Sequence, residues 1–153
     1  MGVSTEDSVG NIHQDGHQDE ILVQAFHHKV SIPLEVDGDN TTVQRVHHPL
    51  TITKVFDKCS PLLYHALATS ENLKKCTLKF YRTSTSGTQE HFFTIELENA
   101  LITDIEPVMP NCQDPSKAHL TLMEDISFRY SRITWTHETS GTSNTDDWRA
   151  VNL

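Results

Sequence analysis

Two pairs of adjacent histidines are the residues of this sequence whose type and spacing could bind a metal. His27 and His28 lie in FHHKVSIP, and His47 and His48 lie in RVHHPLTIT. Neighbouring residues of a β-strand point to opposite faces, so a zinc site would need one histidine from each pair, such as His28 and His48, and a third ligand. The sequence offers no third ligand. We therefore expect these histidines to lie on strand surfaces or in hydrogen bonds.

A second histidine spacing, His13 and His17, places two imidazoles four residues apart. That spacing suits a zinc-binding helix only when the intervening residues form one. Gly16 lies between them and the surrounding QDGHQDE has no apolar side, so the sequence predicts neither a helix nor a metal site here.

The cysteines could supply a nucleophile. Cys59 precedes a predicted helix, whose dipole could stabilise a thiolate, but no histidine and acid follow it in a catalytic context. Phosphate-binding loops, dinucleotide-binding glycine patterns and GxSxG are also absent. Cys59, Cys76 and Cys112 are an odd number without CxxC spacing, so we expect reduced thiols that are buried or idle. We predict no catalytic residue and no cofactor.

Asp146 and Asp147, beside Trp148, could form an acid pair. They lie in a C-terminal tail, residues 138–153, that is rich in Ser, Thr and Gly. The simpler interpretation is a pair of solvated charges next to an aromatic anchor.

Length and charge limit the classes of function. A chain of 153 residues fits one domain, residues 1–153. A formal net charge of -9, from 12 basic and 21 acidic residues, disfavours binding to nucleic acid or to an anionic membrane. The strand aromatics lack interleaved basic residues, so we expect them in the core. Proteins are the expected partners.

Nothing in the sequence resembles a membrane span or a cleavable leader. No apolar run approaches the roughly 18 residues that a span requires, and MGVSTEDSVGNIHQDGHQDE has no apolar centre. We expect no membrane insertion, synthesis in the cytoplasm, and export, if any, by a machine that accepts folded protein. Residues 1–20 are polar and acidic, and we expect a flexible N-terminal segment.

Alternating apolar residues predict two strands separated by a long polar connection, Pro33–Gln44. If these strands pair, the two histidine pairs lie within a few residues of register. The residues expected to share the buried face are Leu22, Phe26, Val30 and Ile32 in the first strand, and Val46, Leu50, Ile52 and Phe56 in the second.

One short helix follows. Ser60 is the expected N-cap and Pro61 the first helical residue, because serine can accept an orphan N–H and proline has none to lose. The expected apolar stripe comprises Leu63, Tyr64, Leu67 and Ala66.

The remaining sequence predicts a hairpin and a bent strand. Cys76, Leu78 and Phe80 alternate with polar residues before a turn at Thr83–Gln89, in which Gly87 can adopt positive φ. The return strand loses alternation near Asn99 and Ala100, as a bulge or corner would cause. The last long strand has its own break, where the buried face switches across Ser131 and Arg132. These patterns favour a mainly-β fold, a small antiparallel barrel or orthogonal sandwich with one short α-helix.

Several collinear segments resemble the haemolysin-coregulated protein (Hcp) family, the tube subunits of bacterial type VI secretion systems. They include DSVGNI, GHQDEILVQAFHH, RVHHPLTITKVFDKCSPLLYHAL, LKFYRTSTSGTQEHFFTIELENALITDI, PVMPNCQDPS, YSRITWTHE and GTSNTDDW. The similarity extends from Asp7 to Trp148, and the order of the motifs is more specific than any single one.

The resemblance implies two antiparallel sheets forming a β-barrel with a helix on one side, and a homohexameric ring with a wide channel. Rings of the family stack into an inner tube that a contractile sheath expels. The channel can hold small effector proteins. Implied partners are other copies of the chain, spike and sheath proteins, and effectors, and the implied destination is the extracellular space or a target cell. No enzymatic activity, cofactor or metal is implied, and the histidine pairs fall inside strand motifs.

Two family features concern particular segments. Pro33–Gln44 matches the family's extended loop, which meets a neighbouring ring. Family members normally begin with a strand before DSVGNI, whereas this chain begins at MGVSTEDSVGNI, so we expect that first strand to be lacking and two sheet edges to be exposed. Two alternatives follow: a carrier or adaptor of the same fold that does not polymerise, and a histidine-rich metal-binding hydrolase.

Overall fold

The computed structural model describes residues 20–33 and 44–148. The expected N-terminal segment therefore lies outside the described residues except for Glu20. The Pro33–Gln44 connection also lies outside them except for Pro33 and Gln44. Within these ranges no helix has the length and apolar character that crossing a membrane would require.

The described ranges form short and long strands around one α-helix. The elements are β1 (Ala25–His27), β2 (Val30–Ser31), β3 (Val46–His47), β4 (Leu50–Val55), α1 (Ser60–Ala68), β5 (Leu73–Thr83), β6 (Gln89–Val108), β7 (Met123–Arg129), β8 (Arg132–His137) and β9 (Thr142–Asp147), with a 3-10 turn at Pro115–Lys117.

The long strand β6 joins two antiparallel sheets. Its first half pairs with β5 on one side and β8 on the other, and its second half pairs with β7. β4 and then β1 extend the sheet beyond β7, and β9 extends it beyond β8. The result is a curled sheet that confirms the predicted mainly-β class, with a small β2–β3 sheet beside it.

The curl occurs where β6 and its partner bend together. Asn99 adopts a φ of 51°, a left-handed conformation that asparagine tolerates better than most residues. Opposite it, Ser131 donates its backbone N–H to Glu98 O at 3.1 Å. Phe128 and Ile133, on either side of this corner, are both buried although their positions differ in parity. The corner predicted near Asn99 and the predicted switch of buried face are confirmed, whereas the register shift of β6 against β7 lies between Ile102 and Asp104.

The β5–β6 hairpin also agrees with the sequence. Ser84 and Thr88 close its turn through a 2.8 Å backbone bond, and Gly87 has a φ of 83°. Ile95 and Leu97 of the return strand are buried.

The prediction of which face of the first strand is buried is wrong. Leu22 is 57% exposed, Phe26 39%, Val30 41% and Ile32 56%. The opposite parity supplies the core contacts instead, through Ile21 and Val23. The segment divides into β1 and β2 because β1 pairs with β4 whereas β2 leaves that sheet to pair with β3.

The pairing of the two predicted strands is confirmed, since Phe26 lies opposite Ile52 and Val30 lies opposite His47. In the second strand Leu50 and Ile52 are buried as predicted. Val46 and Phe56, at its ends, are exposed, which corrects the prediction for those two positions.

The helix begins one residue earlier than predicted. Cys59 is the N-cap and makes no side-chain capping bond, while Ser60 is the first helical residue. The Ser60 hydroxyl is used elsewhere, in a buried network described below. Leu63 and Ala66 face the core, against β6, but Tyr64 is exposed and does not belong to the buried stripe.

Residues 138–148, assigned to the C-terminal tail, turn back at Gly141 and pair with β8 as strand β9. The segment has few apolar residues, so its alternation gave no strand signal. Its attachment depends on side chains that are distant in sequence.

Candidate functional site

A chain of hydrogen bonds connects side chains from four separate segments. The hydroxyl of Tyr130 lies 2.7 Å from His28 Nε2 and 2.7 Å from His47 Nδ1. His47 Nε2 lies 2.7 Å from Asp146 Oδ2. Arg45 donates two hydrogen bonds to the same carboxylate, from Nε at 2.5 Å and from Nη2 at 2.6 Å. We call these five residues the histidine–tyrosine cluster.

The chemistry of the groups fixes the direction of these bonds. An ionised Asp146 only accepts, so His47 carries its proton on Nε2 and, when neutral, accepts the Tyr130 hydroxyl proton on Nδ1. The Tyr130 oxygen then accepts from His28 Nε2–H. Both ring nitrogens of His47, the Tyr130 hydroxyl and both Asp146 oxygens are therefore engaged within the cluster.

Burial and neighbouring charge set the protonation states. Burial, followed by the charge of His47, lowers the pKa of His28 to about 4. The hydrogen bond from Arg45 lowers the pKa of Asp146, and burial raises the pKa of Tyr130. At neutral pH His28 is therefore uncharged, Asp146 ionised and Tyr130 protonated.

Aromatic rings enclose the cluster. His47 stacks on Trp135 at 6.5 Å and on Trp148 at 6.1 Å between ring centroids. The indole N–H of Trp148 donates to the Tyr130 carbonyl at 2.5 Å. The cavity beside His47 and Trp148 is about 10 Å³, which holds no more than one water. The cluster is suited to joining β3 to β7 and β9, and leaves no room for a substrate.

A second polar network, which we call the lysine network, surrounds Lys54. Its Nζ donates to Glu124 Oε1 at 2.5 Å and Ser60 Oγ at 3.1 Å, and lies 3.0 Å from Asp57 Oδ1. The side chains of Lys54 and Glu124 are fully buried and lie directly opposite each other in the β4–β7 pair. Ser60 donates in turn to Glu124 at 2.7 Å. The network attaches the start of α1 to the sheet.

The pKa of Lys54 reflects two opposing effects, burial and hydrogen bonding. Burial by itself lowers that pKa, but the hydrogen bonds to Glu124 and Asp57 outweigh burial and raise it. Lys54 is therefore charged, and serves as a buried structural cation.

Cys59 is a structural thiol, as predicted. Its Sγ donates to Asp57 Oδ1 at 2.6 Å, and burial, assisted by this bond, raises its pKa to about 12. A catalytic thiolate needs the opposite shift. Cys76 is also buried and has a pKa raised by burial to about 11, whereas Cys112 is exposed.

The structure separates the histidines that a metal site would have combined. His28 bonds to Tyr130, His48 Nε2 lies 2.9 Å from Ser31 Oγ, and His27 is exposed. Among residues 20–33 and 44–148, no three His, Cys, Asp or Glu side chains are arranged to hold a metal. His13 and His17 lie outside the described residues.

The prediction that Asp146 is a solvated charge is wrong, because it is bonded to Arg45 and His47. Asp147 is more exposed and lies 3.4 Å from Arg132. No local sequence pattern pointed to Asp146 as the partner, since it is separated from Arg45 by 101 positions. A carboxylate beside a tryptophan was the one available signal.

Among residues 20–33 and 44–148, a large groove lies between residues 20–26 and residues 76–81. Its volume is about 640 Å³, and its floor includes the core residues Ile52, Leu78 and Phe128. We call it the β1–β5 groove, since those strands form its walls.

Together, the curled sheet, its single helix within the described residues and the polar networks that join its segments define a protein of the mainly-β class. Comparison with known proteins specifies the class. The family model described as "Type VI secretion system effector, Hcp" matches residues 3–137. A curated relative, the "Major exported protein" of Pseudomonas aeruginosa, is 56% identical over 149 residues, covering 97% of this chain and 87% of that protein.

Solved structures agree. A crystal structure of an Hcp protein is 44% identical, covers 97% of this chain and 88% of its own, and superposes with a TM-score of 0.83. Secreted protein Hcp3 from Pseudomonas aeruginosa is 50% identical, with coverage of 97% and 89% and a TM-score of 0.73. The chain belongs to the Hcp family of type VI secretion tube proteins, a structural and secreted family that is not enzymatic.

Proposed function

We propose that this chain is a subunit of the type VI inner tube that assembles into hexameric rings, and that these rings stack. The observation that carries the proposal is the Hcp fold, matched over 97% of the chain at a TM-score of 0.83. We infer the ring, the stacking and the channel from the resemblance of the sequence to the Hcp family.

The internal networks support a role as a rigid wall element. The histidine–tyrosine cluster joins strands about 100 positions apart, and the lysine network attaches the helix to β4 and β7. Buried polar groups that bond to one another restrict the alternative packings of a core. A subunit that keeps one shape suits repeated assembly.

The surface also suits contacts between copies. Apolar side chains that are exposed on one subunit can become buried where copies meet, if they form a contiguous patch. Among the described residues the large exposed ones are Leu22, Phe26, Val30, Ile32, Val46, Phe56, Leu62, Tyr64, Val108, Met109 and Leu122.

The further parts of the proposal concern partners. The rings carry small effector proteins in their channel, contact spike and sheath proteins of the secretion machine, and leave the bacterial cell with the expelled tube. These parts depend on the Hcp resemblance.

Sedimentation velocity and negative-stain imaging test the ring. At high protein concentration and about 0.5 M salt, which screens the net charge of -9, we expect particles of six subunits with a central hole. The matched low-salt sample should contain more monomer. A strictly monomeric species with native circular dichroism under both conditions contradicts the proposal.

A second candidate is a carrier or adaptor with the Hcp fold that does not polymerise. The Hcp fold supports it equally, because the match at a TM-score of 0.83 concerns a single subunit and not its assembly. The same sedimentation experiment separates the two candidates. The metal-binding alternative is tested by elemental analysis of untagged protein, in which stoichiometric zinc, iron or manganese would support it.

A further inference from the structure

The β2–β3 sheet depends on side chains for its attachment. It consists of two residue pairs, and among the described residues no strand of the larger sheet pairs with it. A two-stranded ribbon of this size is at best marginally stable in water. Its side-chain contacts with the larger sheet include the bonds of His28 and His47 to Tyr130 and of His47 to Asp146. The histidine–tyrosine cluster therefore holds β2 and β3, which flank residues 34–43, beside β7 and β9.

The Tyr130 hydroxyl carries one proton and lies 2.7 Å from an imidazole nitrogen on each side. One of these nitrogens accepts the hydroxyl proton and the other donates its own. Two complete arrangements exist: the hydroxyl donates to His47 and accepts from His28, or the reverse. In the reverse arrangement His47 carries protons on both nitrogens and is a cation beside the ionised Asp146. The cluster therefore accommodates one added proton without losing a hydrogen bond.

A second added proton does not fit. When His28 and His47 are both cations, both donate to the Tyr130 oxygen, and the hydroxyl proton has no acceptor within the cluster. Tyr130 is 2% exposed, so water does not readily replace that bond, and an unsatisfied buried donor is costly. Two positive charges then also lie at hydrogen-bond distance from the same oxygen. The intact cluster therefore excludes the state in which both rings are charged.

The surrounding charges act in the same direction. Burial, followed by the charges of His47, His27 and His48, lowers the pKa of His28 to about 4. The carboxylate that His47 contacts is shared with Arg45, which offsets part of its charge. The charged and titratable groups around the two rings are Arg45, His27, His48, Arg129, Asp146 and Asp147. A detached His28 binds its proton at higher pH than an attached one, so falling pH favours detachment.

We propose that the histidine–tyrosine cluster is an acid-sensitive attachment, which holds the β2–β3 sheet against β7 and β9 while at most one of His28 and His47 is protonated and releases that sheet when both are. The proposal goes beyond tube formation and does not depend on it. The release is local and distinct from global unfolding, because the larger sheet keeps its own core, which includes Leu97 and Ile126.

Hydrogen–deuterium exchange of the full chain, measured by mass spectrometry at pH 7 and pH 4, tests the proposal. Peptides covering residues 28–33 and 44–49 report on the β2–β3 sheet, and peptides covering residues 93–102 report on β6. Each rate is divided by the rate of an unfolded chain at the same pH. The β2–β3 amides should exchange at least about tenfold faster at pH 4 than at pH 7 on this scale. The β6 amides should remain protected after the β2–β3 amides have exchanged completely.

Substitutions at His28 vary the charge at one position. His28→Gln is neutral at every pH and can donate to or accept from the Tyr130 hydroxyl, so the pH dependence of β2–β3 exchange should fall below about threefold. His28→Lys has one charge already in place, so its β2–β3 amides should lose protection at higher pH than in the natural chain. His27→Gln, at the exposed neighbouring position, should behave like the natural chain. Circular dichroism verifies that each variant folds.

Three results would overturn the proposal. The first is exchange of the β2–β3 and β6 amides in a single step, which would show global unfolding and no local release. The second is a pH dependence of His28→Gln equal to that of the natural chain. The third is identical exchange of the Gln and Lys variants at every pH, which would show that charge at this position does not control the attachment.

Discussion

His47 and Asp146, 99 positions apart, are joined by a 2.7 Å contact between Nε2 and Oδ2. His47 belongs to β3, which follows the connection at residues 34–43, and Asp146 belongs to β9 at the end of the described chain. Arg45 bonds to the same carboxylate. Strand β9, the last described strand, therefore helps to hold β3, the strand that follows residues 34–43.

Asp146→Asn should destabilise the protein. The amide keeps one acceptor oxygen but loses the charge that Arg45 and His47 both bind, which should lower the free energy of unfolding by about 1–2 kcal/mol at pH 7. Urea titration followed by tryptophan fluorescence measures the change, because Trp135 and Trp148 flank His47.

The neighbouring carboxylate provides the control. Asp147 is more exposed and lies 3.4 Å from Arg132, so Asp147→Asn should change the free energy of unfolding by less than about 0.5 kcal/mol. Equal losses in the two variants would show that β9 is held by general charge and not by the bonds of Asp146.

His28 should make stability depend on pH between about 4 and 6.5. Burial, then the charge of His47, lowers its pKa from 6.5 to about 4 in the folded protein, so the unfolded chain binds the proton first as pH falls. The contribution is complete above pH 6.5 and is lost as pH falls towards 4. Because the side chain is only half-buried, we expect a loss of about 1–2 kcal/mol.

His28→Gln removes this titration while leaving a polar partner for Tyr130. The free energy of unfolding, measured from pH 7 to pH 4.5, should fall less steeply in this variant than in the natural chain. His27→Gln, at an exposed neighbouring position, should keep the natural slope. The titration of Asp146 does not overlap with that of His28. The pKa of Asp146 is lowered from 3.8, so its contribution to stability is lost mainly below pH 4.5. Identical slopes in all three proteins would exclude His28 as the source.

The sequence predicted the parts of the fold that depend on local periodicity. The β5–β6 hairpin follows from alternation and Gly87, and the bend follows from the loss of alternation at Asn99. The first strand failed, because alternation at Leu22 and Phe26 does not state which parity meets the core. When β1 pairs with β4 at the sheet edge, the choice is made by partners outside the local segment.

The partners within the polar networks could not be predicted from the sequence. Lys54 and Glu124 share the parity of the buried residues of their strands, so alternation places both on the buried face although charged side chains are usually exposed. Only the β4–β7 register shows that they lie opposite each other. Asp146 likewise acquires its role from Arg45, far away in the chain. Long-range contacts of this kind leave no local pattern, whereas family motifs record them indirectly through their collinear order.

Thiol labelling should distinguish the three cysteines. Cys59 and Cys76 are buried, and burial raises their pKa values to about 12 and about 11. A reagent therefore cannot reach them, and they do not form the reactive thiolate at pH 8. Cys112 is exposed. With a thiol reagent at pH 8, the native protein should react at Cys112 alone, and all three should react in denaturant. Mass spectrometry of digested protein locates the label, with Cys112→Ser as the unlabelled control. Rapid native labelling of Cys59 would contradict its burial beside Asp57.

Lys54→Met should cost about 3–5 kcal/mol of unfolding free energy, because it leaves the carboxylate of Glu124 buried without its cation. The double variant Lys54→Met with Glu124→Leu removes both charges and should regain most of that loss, since an apolar pair avoids the desolvation of two ions. Lys75→Met provides the exposed control: Lys75 pairs with Glu96 at 2.9 Å on the surface, and its loss should change the free energy of unfolding far less than Lys54→Met does. Urea titrations of the four proteins give the comparison. If the double variant is no more stable than Lys54→Met, the ion pair itself, and not the orphaned charge, holds α1 to the sheet through Ser60.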